Sequence, residues 1–143
     1  MSSDFKLHPR LAADCILVGQ LSLSQLLLLN DARYHWFVLV PAVPDMTEVF
    51  ELAEPDQQQL WRESAQLSHY LKEVCSAGKI NIGALGNMVP QLHVHHIARF
   101  VGDPAWPGPV WGHSPAVVYE QTELKQRVDS VRDWFSDELT EIS

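Results

Sequence analysis

Three of the chain's seven histidines fall within four residues, at His93, His95 and His96. In an extended strand, successive side chains alternate between the two faces of a sheet, so His93 and His95 share one face and His96 points to the other. A neutral imidazole can attack a phosphorus centre, and a second imidazole beside it can donate a hydrogen bond or carry a proton near neutral pH. The spacing of His93 and His95 therefore indicates a site for phosphoryl chemistry.

The residues around these histidines favour a strand over residues 91–99. One face of that strand carries Gln91, His93, His95, Ile97 and Arg99, and the other carries Leu92, Val94, His96 and Ala98. The first face is rich in hydrogen-bond donors, whereas the second suits a hydrophobic core. On this face Gln91 is a candidate amide donor and Arg99 a candidate partner for an anion.

Two other interpretations of the histidine pair stay open at this point. The pair can be a surface or core feature of an ordinary strand, without chemistry. It can also chelate a divalent metal ion. Barrel-type metal sites of that kind usually add a carboxylate shortly after the pair, and the first acid here is Asp103.

Composition restricts the class of protein. A net charge of −8 argues against a nucleic-acid groove or an acidic membrane surface, both of which need clustered Lys and Arg. Cys15 and Cys75 are isolated, which argues against a disulfide scaffold or a structural zinc site. The N-terminus lacks the pattern of a signal peptide, and no apolar run is long enough to span a membrane, so we expect a cytoplasmic protein.

Hydrophobic patterning predicts five strands and two main helices. The strands are expected at residues 14–19, 24–29, 35–40, 79–85 and 91–99. The long helix begins at Glu54, with Pro55 in its first turn, and ends before Gly78. Its buried stripe is expected to comprise Leu60, Leu67, Leu71 and Val74. Thr122 is the expected N-cap of a C-terminal helix whose apolar face comprises Leu124, Val128, Val131, Phe135 and Leu139.

This order of elements predicts an α+β fold, with one mainly antiparallel five-stranded sheet, a long helix and a C-terminal helix. The chain is expected to be a single domain over residues 1–143. Its core would lie in residues 5–100, and a Pro/Trp-rich loop and the last helix in residues 101–143. The prolines and glycines of residues 103–112 exclude a regular element there. Trp106 and Trp111 in that loop either line a pocket or cover the end of the sheet.

The stretch from Gln91 to Arg99 resembles the signature of the histidine triad (HIT) family, which is His-x-His-x-His followed by two apolar residues. His93 matches the middle histidine and His95 the third. The similarity extends over roughly residues 12–100. It is greatest to bacterial HIT-like proteins that carry the segment Ala-Trp-Pro-Gly-Pro-Val-Trp-Gly after the motif, as residues 105–112 do here.

This resemblance implies a HIT-like fold and a homodimer that binds a purine nucleotide or dinucleotide. It also implies hydrolysis or transfer of nucleotidyl groups from dinucleoside polyphosphates or nucleoside phosphoramidates, with no cofactor or metal in the attacking step. By position, His93 would be the nucleophile that forms a covalent nucleotidyl-histidine intermediate. His95 would hold the α-phosphate and assist the leaving group, Asn30 would contact the ribose, and Asn87 would be a polar residue on the phosphate side.

Three residues depart from the family pattern. Gln91 stands where the first histidine belongs, so it can form hydrogen bonds but cannot carry a proton. Trp36 takes the place of a histidine that many relatives have at the start of the third strand, and His96 replaces an apolar residue. The departures at Gln91 and Trp36 favour the alternative of a HIT-like protein that binds a nucleotide with little or no catalysis.

Overall fold

Five antiparallel strands form one sheet in the computed structural model, which describes residues 4–142. They are β1 (Cys15–Gln20), β2 (Ser24–Leu29), β3 (Trp36–Pro41), β4 (Lys79–Gly83) and β5 (Val94–Arg99), and their order across the sheet is β1-β2-β3-β5-β4. The helices are α1 (Pro9–Asp14), α2 (Glu54–Glu73) and α3 (Gln121–Trp134), with a short 3₁₀ turn at Val49–Glu51. The predicted α+β fold with a five-stranded antiparallel sheet, a long helix and a C-terminal helix is confirmed.

The two faces of the sheet support two hydrophobic clusters. Side chains of β2 and β3 such as Leu26 and Phe37 belong to the larger cluster, together with Leu67 of α2. Leu27 and Val38, which are neighbours of these residues in sequence, belong to the smaller cluster on the opposite face. Burial on both faces explains why these strands are almost continuously apolar.

The strand that carries the histidines is central rather than peripheral. β5 pairs with β3 on one side, where His95 lies opposite Val38, and with β4 on the other, where His95 lies opposite Gly83. It begins at Val94, so the predicted start at residue 91 is wrong by three residues. His93 consequently lies on the segment that enters the sheet, immediately before β5.

The long helix begins as predicted but ends differently. Pro55 lies in its first turn, and the last helical residue is Glu73. Val74, predicted to be in the buried stripe, is instead the C-cap of the helix and is 49% exposed, so that part of the prediction is wrong. The left-handed backbone conformation after the helix is adopted by Ser76, with φ of 60°, and Gly78 instead donates its N–H to the carbonyl of Arg99.

The C-terminal helix also starts slightly earlier than expected. α3 has Glu120 at its N-cap, so Thr122 lies inside the first turn and the prediction that it caps the helix is wrong. Of its predicted apolar face, Val128 and Val131 and the C-cap residue Phe135 are buried in the larger cluster, and Leu124 packs against it. Leu139 also packs against this cluster but lies beyond the helix, which ends at Trp134.

The single domain predicted over residues 1–143 stays a prediction, and residues 1–3 and 143 lie outside the described residues. No helix within residues 4–142 has both the length and the apolar character needed to cross a membrane.

Candidate active site

A pocket of about 340 Å³ opens where β3 and β5 meet the loops that precede and follow β5. Six of the residues that line it are His93, His95, Trp36, Trp111, Asn87 and Met88. The pocket therefore combines two imidazoles with large apolar side chains, as is usual for sites that bind small organic molecules.

His93 has one ring nitrogen committed to the backbone. Its Nδ1 lies 2.7 Å from the carbonyl oxygen of Gln91, and a carbonyl can only accept, so Nδ1 carries the proton and donates. In the neutral ring, Nε2 then keeps its lone pair. This tautomer leaves His93 with the nitrogen that a nucleophile needs.

His95 has the opposite tautomer. The indole Nε1 of Trp36 donates to Nδ1 of His95 over 2.9 Å, and an indole N–H can only donate. In the neutral ring the proton of His95 is therefore on Nε2. Burial, followed by the effect of the neighbouring imidazoles of His93 and His96, lowers the pKa of His95 to about 3, so the ring is neutral at physiological pH.

The two imidazoles thus form a complementary pair. Their ring centroids are 4.9 Å apart, and the rings are inclined by 69°. His93 offers a lone pair and His95 offers an N–H, which are the two functions needed to attack a phosphoryl group and to hold its oxygen. The fixed partners of both Nδ1 atoms supply this arrangement without any movement of a side chain.

His96 points away from this site, as its position in the strand predicts. It is fully buried, its Nδ1 lies 3.1 Å from the carbonyl oxygen of Val94, and its Nε2 lies 2.7 Å from the hydroxyl of Ser64 on α2. Because the carbonyl needs a donor, Nδ1 carries the proton and Nε2 accepts from Ser64. Burial lowers the pKa of His96 to about 4, which fits a neutral core residue.

Gln91 does not present its amide to the pocket. Its Oε1 accepts from the N–H of His8 at 2.8 Å, and its Nε2 donates to the carbonyl of Lys6 at 2.9 Å. The side chain that replaces the first histidine is therefore engaged with the N-terminal segment. Its backbone carbonyl still serves the site, because that oxygen holds Nδ1 of His93.

Arg99 lies outside the pocket, four residues beyond His95 on β5. Its guanidinium is only 2% exposed and donates to both carboxylate oxygens of Asp103 at 2.8 and 2.9 Å. It also donates to Oδ1 of Asn81 at 2.8 Å and stacks over the ring of Trp106. These partners explain why the structure does not bring Arg99 to the histidines as an anion partner.

The two asparagines suggested by the resemblance are in different places. Asn87 lines the pocket with the histidines. Asn30 borders a separate depression with Leu29 and Val118, and its Oδ1 accepts from the N–H of Tyr119 at 3.0 Å. Its expected contact with a ribose stays a prediction.

The proline-rich loop supplies a wall of the pocket. Trp111 contacts His95 and Trp36 edge to face, at centroid distances of 5.6 and 6.4 Å. A Cβ at Gly83 of β4 would lie 3.0 Å from the Trp111 ring, so the glycine makes room for the indole. Of the two positions considered for Trp111, the structure shows that it lines the pocket.

Sequence reasoning did not find the bond between Trp36 and His95. The available signal was the aromatic residue at the start of β3, two positions before the partner of His95 in the sheet. The contact became predictable only once the register between β3 and β5 was known. Within residues 4–142, no group of three or more His, Cys, Asp or Glu side chains is arranged to hold a metal ion.

The chain is similar to a known protein family over more than half of its length. The family model for the HIT domain matches residues 10–102. No curated protein shows significant similarity to this chain.

Three solved structures, all of histidine triad proteins, resemble the whole fold. The protein from Marinobacter aquaeolei VT8 is 45% identical, covers 92% of this chain and 96% of its own, and superposes with a TM-score of 0.90. The protein from Bradyrhizobium japonicum is 46% identical, with coverages of 90% and 96% and a TM-score of 0.88. The protein from Sinorhizobium meliloti 1021 is also 46% identical, with coverages of 92% and 97% and a TM-score of 0.89. This chain belongs to the histidine triad family.

Proposed function

We propose that this protein hydrolyses or transfers nucleotidyl groups through a covalent intermediate on Nε2 of His93. HIT proteins bind nucleotides and in general are hydrolases or transferases that act on them. The observation that carries the proposal is the bond between Nδ1 of His93 and the carbonyl of Gln91, because it leaves Nε2 unprotonated in the neutral ring. The proposed substrates are dinucleoside polyphosphates or nucleoside phosphoramidates.

The first step forms a bond between Nε2 of His93 and the α-phosphorus. The bond from phosphorus to the leaving group breaks, and its electron pair goes to the leaving atom. A leaving phosphate oxygen departs as an anion, whereas a leaving nitrogen also takes up a proton from solvent. The proton on Nδ1 remains hydrogen-bonded to the carbonyl oxygen of Gln91, so the substituted ring carries the positive charge. The N–H of His95 donates to a non-bridging phosphoryl oxygen, where negative charge is held in the transition state.

In the second step, water attacks the phosphorus and the P–N bond breaks. The electron pair returns to Nε2 of His93, the nucleoside monophosphate leaves, and the proton released by the water passes to solvent. Asn87 is proposed to bind on the phosphate side of the substrate. The apolar side chains of Trp111 and Met88 are proposed to pack against the base.

Gln91 and Arg99 have no direct contact with substrate in this proposal. Their side-chain polar groups are bound to the N-terminal segment and to Asp103, respectively. Gln91 contributes through its backbone carbonyl.

We also propose a homodimer, since HIT proteins often form dimers. β4 is an edge strand of the sheet, and Ile82 on it is 45% exposed, which are features of a strand suited to pairing with a second copy. Sedimentation or light scattering should give twice the mass of the chain. A monomer at micromolar concentration would contradict this part of the proposal.

The test of function is nucleotide release, with EDTA present, from diadenosine polyphosphates and from adenosine phosphoramidate. Wild type should release mononucleotide and, after rapid quenching, carry one nucleotidyl group on His93 by mass spectrometry. His93→Ala should lose both, whereas His69→Ala, at an exposed histidine on α2, should keep both. Binding without release by wild type would instead favour the alternative of a nucleotide-binding protein, which the engagement of Gln91 elsewhere motivates.

A further inference from the structure

The bond from Trp36 to His95 restricts the chemistry of the pocket more than the histidine pair alone does. The indole is only 7% exposed and is held edge-on between Tyr34 and Trp111, at centroid distances of 5.9 and 6.4 Å. Its N–H therefore has a fixed direction, toward Nδ1 of His95 at 2.9 Å. A packed indole cannot turn away to let Nδ1 take a proton without disturbing the cluster around it.

His95 consequently has one available proton and no means of replacing it from its other nitrogen. Nε2–H can donate a hydrogen bond, but transfer of that proton would leave an imidazolate, because Nδ1 is occupied by the indole donor. The cationic ring, which could give up a proton easily, is disfavoured by burial. Among the described residues that line the pocket, His93 and His95 are the only ones with titratable side chains.

This limitation distinguishes between leaving groups. When P–O cleavage releases a phosphate or polyphosphate, the oxygen keeps the electron pair as a stable anion and needs no proton. When P–N cleavage releases an amine, the nitrogen must receive a proton as the bond breaks, because an amide anion is far too basic to depart. His93 cannot supply that proton, since its Nε2 forms the new bond and its Nδ1–H is bound to the Gln91 carbonyl.

We infer that Trp36 is a positioning residue that fixes His95 as a hydrogen-bond donor, and that the site therefore selects phosphoanhydride substrates over phosphoramidates. The inference rests on the proposed function and narrows its substrate class. Trp36 acts through His95, and its effect is on the identity of the leaving group rather than on the nucleotide that is bound.

The experiment compares adenosine 5′-phosphate derivatives that share one nucleotidyl group and differ in the leaving group. They are an anhydride with phosphate, a series of substituted phenyl esters, and a phosphoramidate. Wild type should show a kcat/KM that rises steeply with the acidity of the leaving group, and the phosphoramidate should be the poorest substrate. In Trp36→Phe the ratio of phosphoramidate to anhydride turnover should rise by up to about 10²-fold, the lower end of what general acid catalysis contributes. Nδ1 of His95 then no longer faces an indole donor, and the smaller ring lessens the burial that disfavours the cation.

Tyr34→Phe is the matched control. It removes a buried hydroxyl that has no hydrogen-bond partner in the structure, from a ring that packs against Trp36, and it leaves the indole N–H in place. Its selectivity should equal that of wild type. Equal turnover of anhydride and phosphoramidate by wild type, or an unchanged ratio in Trp36→Phe, would overturn the inference and leave the proposed function standing.

A second measurement tests the tautomer without relying on activity or on the stability of a variant. The ¹⁵N shifts of the His95 ring in wild type should identify a neutral imidazole protonated at Nε2 at neutral pH. A ring protonated at Nδ1, or a cation, would overturn the inference. Absence of turnover with every substrate, together with absence of a His93 adduct, would count against the proposed function instead.

Discussion

His93 and His95 lie with ring centroids 4.9 Å apart, yet the structure assigns the proton of each neutral ring to a different nitrogen. Nδ1 of His93 donates to a backbone carbonyl, whereas Nδ1 of His95 accepts from an indole. When both rings are neutral, Nε2 of His93 therefore has a free lone pair and Nε2 of His95 carries a proton.

Stability should fall as the pH decreases from about 7 to about 5. The pKa of His95 is lowered to about 3 and that of His96 to about 4, so the unfolded chain takes up these protons first as acid is added. The stabilisation is fully present above the ordinary histidine pKa and is lost as the pH falls toward the folded values. Each ring should contribute a loss of about 2 kcal/mol by about pH 5.

Urea unfolding at several pH values measures this decline in the free energy of unfolding. His96→Gln removes one of the titrating groups. The stability of this variant should therefore decline by about 2 kcal/mol less than that of wild type over the same pH range. Stability that is constant or rises toward about pH 5 would show that the rings are not held neutral.

Ser64→Ala should destabilise the protein through His96. The substitution removes the hydroxyl that donates to Nε2 and leaves that nitrogen buried without a partner, at a cost of about 1–3 kcal/mol. Ser68→Ala one turn later on α2 is the control, because the Ser68 hydroxyl is buried without a hydrogen-bond partner in the structure. Denaturant midpoints of the two variants make the comparison, and equal losses would contradict the role given to the Ser64–His96 bond.

Asp103→Asn should be strongly destabilising, by about 3–5 kcal/mol, because it leaves the buried guanidinium of Arg99 without its carboxylate. The exposed pair of Lys125 and Asp129 on α3 has the same spacing in sequence, and Asp129→Asn should change stability by less than about 1 kcal/mol. Thermal or denaturant unfolding distinguishes the two. A small effect of Asp103→Asn would reopen Arg99 as a residue available to a ligand.

Gln91→Ala should release the N-terminal segment. Loss of both amide hydrogen bonds is expected to cost about 1–2 kcal/mol. It should also speed hydrogen exchange at the N–H of His8, which Gln91 Oε1 protects. Exchange at that amide as slow as in wild type would show that something else holds the segment.

Much of this structure could be predicted because it follows from local pattern. Apolar alternation correctly separated Val94 and Ala98 from Ile97 across the two faces of the sheet. The same alternation correctly placed His96 on the face opposite to His95. The tautomers of His93 and His95 did not, because each depends on a partner that the fold supplies.

Long-range partners of polar groups were the part that sequence could not provide. Glu63 looks like one more charged residue on a helix, yet it is 1% exposed and accepts from the N–H groups of Leu23 and Ser24 at the start of β2. Gln91 likewise finds its partners more than eighty residues away. Such contacts depend on how elements distant in sequence meet, which periodicity does not encode.

The space that Gly83 leaves for Trp111 has a consequence for how the substrate preference of this protein can change. The match to the HIT domain ends at residue 102, and Trp111 lies beyond it. The histidine pair and one wall of the cavity are therefore encoded in separate stretches of chain, and the missing side chain of Gly83 makes room for the indole between them. We expect that substitutions in the loop can reshape the cavity while His93 and His95 stay as they are, so the proposed chemistry and the choice of substrate can vary independently.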